Sequence, residues 1–221
     1  MKISNWLFLP LSLILLGCPP PVNVPPVPAS RARAIAQIQS GVAVAVVLDT
    51  SGSMGGQKIE DVKRILLTSI KDKLNLYNVM GEGKLHLALI DCGSGFGSEI
   101  PLPMDEFNES LYTQTINSLS ADGGTPLARC VHHAYQELLK SGASDKHIFV
   151  LSDGQAEDNL SQELASRLPS VGIHVIGFQS DESYYAPFKD VGGQVIMVDD
   201  AETLDTTTSK IFKAILKLED D

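Results

Sequence analysis

Positive charge is scarce in this sequence: 17 Lys and Arg stand against 27 Asp and Glu, a formal net of −10 over 221 residues. A field of that sign repels nucleic acid and anionic lipid surfaces, and it favours metal cations and basic partner surfaces. Nucleic acid is therefore not expected as a partner. Long apolar runs are missing too. The nearest approach is Trp6 to Leu16, eleven residues, too short for the hydrocarbon layer of a bilayer but proportioned like the apolar part of an export signal. There are only three cysteines, Cys18, Cys92 and Cys130. No internal repeat and no second domain is recognisable. What remains, 43% hydrophobic and 20% charged residues, argues against disorder over most of the length and leaves room for one domain of roughly 180 residues with a large core.

The first seventeen residues carry a single positive charge at Lys2 before the apolar run, and then Leu15, Leu16, Gly17 and Cys18 follow. That ending resembles the lipobox of bacterial lipoproteins. The resemblance implies a signal peptide over 1–17, with Cys18 acylated as the mature N-terminus and anchored in a membrane of the bacterial cell envelope. Pro19 after Cys18 favours the outer membrane if the source is Gram-negative. Six of the next twelve residues are proline, so the chain leaves Cys18 as an extended spacer at about 3 Å per residue. Residues 18–40 read as this linker plus a helix-compatible lead-in, and 41–221 as the domain.

Within the domain, elements alternate. Val42 to Leu48 is apolar throughout and reads as a strand buried on both faces. Gln57 to Leu76 places Ile59, Val62, Leu66, Ile70 and Leu74 at helical spacing. Strands are expected at Leu85–Asp91, His147–Leu151, Gly172–Phe178 and Gln194–Val198, and helices at Leu111–Leu119, Pro126–Lys140, Leu160–Leu168, Ser183–Val191 and Ala201–Leu218. Glu99–Met104 is a short strand that Pro101 and Pro103 confine to a sheet edge. The alternation predicts an α/β fold, a doubly wound and mainly parallel sheet with helices on both faces and one short antiparallel edge strand.

In such sheets ligands bind outside the carboxyl ends of the strands. The first strand breaks there into Asp49, Thr50, Ser51, Gly52 and Ser53, and the His147–Leu151 strand breaks into Ser152, Asp153 and Gly154. Asp49, Ser51 and Ser53 alternate as oxygen ligands do in hard-metal loops. Thr125, between a Gly-Gly turn and a helix start, offers a fourth oxygen and Asp153 a fifth.

These residues resemble the von Willebrand factor type A domain with its metal-ion-dependent adhesion site, over roughly Gly41 to Leu218. Asp49, Ser51 and Ser53 match the first metal loop, Thr125 in Gly-Gly-Thr-Pro-Leu the second, and Asp153 in Leu-Ser-Asp-Gly the third. The resemblance implies a bound Mg²⁺, with Mn²⁺ also fitting. It further implies a protein partner that presents a carboxylate to the open coordination position, and no enzymatic activity. The opposing reading gives the same residues to turns and helix caps without metal.

Rival chemistries have weaker support. Ser51 to Lys58 is glycine-rich before a helix, but a phosphate loop needs contiguous Gly-Lys-Ser/Thr, and here Gln57 precedes Lys58 and Ile59 follows. A metal-assisted hydrolase would need a base, for which Asp91, Asp122, His132 and His133 are the candidates. A structural subunit of an envelope complex is the third reading. Asp91 and Asp122 otherwise cap turns or stand behind the ligands, and the two histidines read as surface or rim. With Cys18 assigned to the anchor, Cys92 and Cys130 can pair in only one way. A disulfide between them is expected, against the alternative of two buried thiols.

Overall fold

The computed structural model describes residues 41–80, 83–93, 98–166 and 170–218. The expected signal peptide, Cys18 and the linker therefore lie outside the described residues, as does most of the glycine loop after Cys92. Among the described residues no helix is long and apolar enough to cross a membrane.

Among the described residues six strands form one sheet: β1 Gly41–Asp49, β2 Lys84–Cys92, β3 Ser98–Glu106, β4 Asp145–Ser152, β5 Val171–Phe178 and β6 Gln194–Val198. Their spatial order is β3-β2-β1-β4-β5-β6. Every pairing is parallel except β2 with β3. The antiparallel edge strand is the one that Pro101 and Pro103 demanded, since a residue without an N–H is tolerated where no neighbour needs it. It is longer than expected and carries register irregularities opposite Leu87 to Asp91.

β1 lies at the centre, and its alternation of side chains divides two cores. Val44, Val46 and Leu48 join the cluster that includes Leu66, Leu74, Phe149 and Phe212. Ala43, Ala45 and Val47 join the cluster on the other face with Cys130, Val131, Ala134 and Leu138. The first core is covered by α1 Gln57–Ile65, a π turn Leu66–Ile70, α2 Lys71–Met80, α3 Glu109–Ser118 and α7 Ala201–Leu216. The second is covered by α4 Leu127–Lys140, α5 Leu160–Ala165 and α6 Ala186–Asp190. The small Ala43 and Ala45 let α4 approach the sheet closely.

Two helix boundaries differ from expectation for visible reasons. The helix expected over Gln57–Leu76 runs on to Met80 through the π turn, where the Leu66 carbonyl accepts a hydrogen bond from the buried Tyr112 hydroxyl at 3.0 Å. α4 begins at Leu127 rather than Pro126, because Pro126 holds a non-helical ψ of 61° as the cap. Its carbonyl already accepts from the Cys130 N–H at 3.1 Å.

Candidate functional site

Reversal of winding on either side of β1 makes a crevice at the carboxyl ends of β1 and β4, the topological switch point of a doubly wound sheet. β1 ends there in Asp49, and the residue after β4 is Asp153. Asp49 is 0% exposed and Asp153 8% exposed, so two carboxylates have been taken out of water at the same place.

Their oxygens are held by local hydroxyls and amides. Asp49 Oδ1 accepts the Ser51 N–H at 2.9 Å, and its Oδ2 accepts the Ser152 hydroxyl. Ser51 Oγ and Ser53 Oγ lie 3.0 Å apart, and Ser53 Oγ donates to Asp153 Oδ1 at 2.7 Å. The first loop thus reaches the third across one hundred residues of sequence. Thr125 enters from the second loop. A Cβ built on Gly154 would stand 3.3 Å from Thr125 Oγ1 and 3.8 Å from Asp49 Oδ2, so glycine at 154 admits both oxygens to the same small space. All five sequence-derived candidates, Asp49, Ser51, Ser53, Thr125 and Asp153, therefore gather at one point of the sheet edge.

The surrounding framework fixes them. The loop after β1 is pinned on two sides by backbone bonds: Thr50 N–H to the Cys92 carbonyl at 3.0 Å, Gly52 N–H to the Gly123 carbonyl at 3.0 Å, and Asp122 N–H to the Thr50 carbonyl at 2.7 Å. Gly93 is pressed against this loop so closely that a Cβ would stand 2.4 Å from the Thr50 carbonyl carbon. The Thr125 carbonyl accepts from the Glu157 N–H at 3.0 Å, and the Asp158 carboxylate caps α4 through the Ala128 and Arg129 N–H groups at 2.7 and 2.9 Å. Under the third loop, the Tyr185 hydroxyl donates to the Ser152 carbonyl at 2.8 Å, and burial pushes its pKa up to about 12. A disulfide joins Cys92, at the end of β2, to Cys130, one turn into α4. It fastens the second loop's helix to the sheet beside the site.

Burial raises the pKa of Asp49 above the ordinary carboxylate value. Hydrogen bonds from Ser152 and Ser51 oppose the shift, and the nearby Asp153 adds to it. The site therefore calls for positive charge. One cation is built in: Lys58 Nζ contacts Asp153 Oδ2 at 2.5 Å. Among the described residues no group of three or more His, Cys, Asp or Glu side chains is arranged to hold a metal, so any ion here would depend on the three hydroxyls as well as the two carboxylates. An all-oxygen set with two charges suits a small hard cation that keeps open positions.

The remaining candidates separate. Asp91 is buried and accepts the Thr50 hydroxyl, standing behind the first loop. Asp122 is exposed and accepts its neighbour Gly123 N–H at 2.7 Å, a turn-capping role. His132 pairs with Glu163 at 3.0 Å, and His133 with Ser98 at 2.7 Å. Two contributors lie outside the five candidates: Ser152, whose hydroxyl holds Asp49, and Lys58, whose ammonium reaches Asp153. Ser152 was legible in principle as the hydroxyl before Asp153. Lys58, within the first turn of α1, had no signal beyond nearness to the first loop.

Known proteins share this arrangement at the level of the fold. The PilB minor pilin from Streptococcus sanguinis superposes with a TM-score of 0.66 at 16% identity, over 81% of this chain and 62% of that one. The pilus adhesin SpaC from Lactobacillus rhamnosus GG gives 0.66 at 16% identity, over 80% and 30%. A von Willebrand factor type A protein from Catenulispora acidiphila gives 0.61 at 18% identity, over 80% and 43%. The chain thus spans less than two thirds of the length of each. No curated protein sequence matches. The family model for the von Willebrand factor type A domain matches residues 43–211, a span that opens in β1 and closes in α7 and takes in all three loops, and the chain belongs to that family.

Proposed function

We propose that this protein is a non-enzymatic, divalent-metal-dependent protein-binding module of the bacterial cell envelope, anchored through Cys18. The observation that carries the reading is the convergence of Asp49, Ser51, Ser53, Thr125 and Asp153 from three loops on one buried point. Mg²⁺, or Mn²⁺, would be held there by these five residues and would supply a Lewis-acidic position for a partner's carboxylate. Ser51, Ser53 and Thr125 contribute neutral oxygens, Asp49 and Asp153 the charge, and Lys58 yields Asp153 to the ion. Two proteins that share the fold are a pilus adhesin and a minor pilin by name, which supports adhesion or assembly at the envelope. Against hydrolysis, both site histidine candidates are engaged elsewhere and Asp91 is committed to Thr50.

The test is calorimetric titration of Mg²⁺ into the chelated protein, followed by capture from envelope extract in Mg²⁺ and elution with EDTA. Asp49→Ala should abolish both heats and capture. Capture that survives EDTA or Asp49→Ala sinks the metal-bridged reading. Loss of melting temperature on chelation with the partner still attached would make the ion structural.

A further inference from the structure

At the opposite end of the sheet, two imidazoles face each other across neighbouring strands. His147 near the start of β4 is in register with Gly172 of β5, and His174 stands one pleat further along β5, opposite Phe149. His147 Nδ1 lies 3.1 Å from His174 Nε2. The outer nitrogen of each ring is met by an oxygen acceptor: His147 Nε2 by Asp145 Oδ1 at 2.9 Å, and His174 Nδ1 by Gln194 Oε1 at 3.1 Å.

A carboxylate accepts only, and the Gln194 oxygen accepts, so each neutral ring places its one N–H on the outer side. With both outer nitrogens protonated, the two inner nitrogens, 3.1 Å apart, are the ones left to accept, and together they can ligate one cation at the apex above them. Both rings are held neutral, because burial lowers the pKa of each; the Asp145 carboxylate opposes the shift at His147 and the Gln194 hydrogen bond opposes it at His174. A neutral imidazole is the metal-binding form. We propose that His147 and His174 form a second metal site, for a borderline divalent ion of the Zn²⁺ class, chemically distinct from the oxygen site at the other end of the sheet.

Three further features support it. Two nitrogens on one tetrahedral Zn²⁺, at the usual ~2.0–2.1 Å, stand about 3.3 Å apart, close to the separation found. Ligating histidines characteristically donate their other N–H to a carboxylate or carbonyl oxygen, as both rings do here. Gly172 leaves the approach open: a Cβ there would stand 2.5 Å from His147 Nδ1 and 3.4 Å from His174 Nε2, inside the space an ion would use. Lys217 Nζ, 2.8 Å from Asp145 Oδ2, balances the carboxylate charge and ties the end of α7 to the cluster. With two protein ligands, the remaining positions belong to water or to a donor from outside the chain.

The experiment is titration of ZnCl₂ into the full chain, chelated and then held in excess Mg²⁺ so that the oxygen site does not compete. One equivalent should bind, with a rise in melting temperature. His147→Gln and His174→Gln should each remove it, Asp145→Asn should weaken it about tenfold or more, and His132→Gln should leave it unchanged. The absence of any Zn²⁺-dependent rise in the unaltered protein overturns the proposal without reference to variants. So does Zn²⁺ uptake that persists in both His147→Gln and His174→Gln, or uptake that Asp49→Ala abolishes instead.

Discussion

Replacing Asp49 by Asn should cost far more stability with the ion than without it. The side chain is fully buried and its carboxylate is raised in pKa chiefly by loss of water. Asn keeps an oxygen for the Ser51 N–H and removes the charge. It presents an NH₂ where Oδ2 accepted the Ser152 hydroxyl, so one hydrogen bond must reverse, at a cost of about 1 kcal/mol. Ser152 has the Gly154 carbonyl, 3.4 Å away, as an alternative acceptor. Relief of the buried charge offsets that cost, so in EDTA the variant should melt within a few degrees of the parent, or above it. With Mg²⁺ at about one hundred times its dissociation constant the parent gains about 2.7 kcal/mol, or about 5–10 °C for a domain of this size. The variant should gain almost none of this. Paired thermal melts in EDTA and in Mg²⁺ decide the matter. An Asp49→Asn protein that keeps the full Mg²⁺-dependent rise, or one that falls equally in both buffers, would refute the reasoning.

Other outcomes follow from the same geometry. Reducing the Cys92–Cys130 bridge, which spans a sequence separation of 38, should cost about 4 kcal/mol by loop entropy, read as a shift of the urea midpoint with and without reductant. Gly93→Ala puts a methyl group into the Thr50 backbone and should weaken Mg²⁺ binding in calorimetry while the far-ultraviolet circular dichroism stays unchanged; unaltered affinity would show that the first loop tolerates displacement. His147 and His174 have folded pKa values below the ordinary 6.5, so as pH falls through that value the unfolded chain takes up protons that the folded chain refuses. In chelator, stability should therefore be full above about pH 7 and decline through the range below about 6.5. His174→Gln should flatten that slope in melts taken across roughly pH 5–8.

Much of the site was readable because its parts are punctuation. An apolar strand that stops in Asp49, a Gly-Gly turn before Thr125 and a strand that stops before Asp153 are local events, and an alternating α/β pattern brings such strand ends to one edge. The edge position of β3 followed likewise from two prolines. What the sequence withheld depends on approach between distant segments. The Ser152 hydroxyl meets Asp49 across 103 residues, and Thr50 meets Asp91 across 41. The π turn at Leu66–Ile70 was hidden for a related reason: apolar residues continue at spacings of four through it, and the Tyr112 hydroxyl that meets its Leu66 carbonyl comes from another helix. The His147–His174 contact requires the register of β4 on β5, which no single strand encodes.

The central place of β1 has a mechanical side. Gly41 stands at one end of this strand, and the candidate ligand position lies at the other, beyond Asp49. Tension applied between Gly41 and a group held beyond Asp49 would therefore be directed along the strand rather than across it. Nine residue pairs tie β1 to β2 and seven tie it to β4, all in parallel register. Their hydrogen bonds lie across the pull and share it, so they must yield together; they do not open one after another from a frayed end.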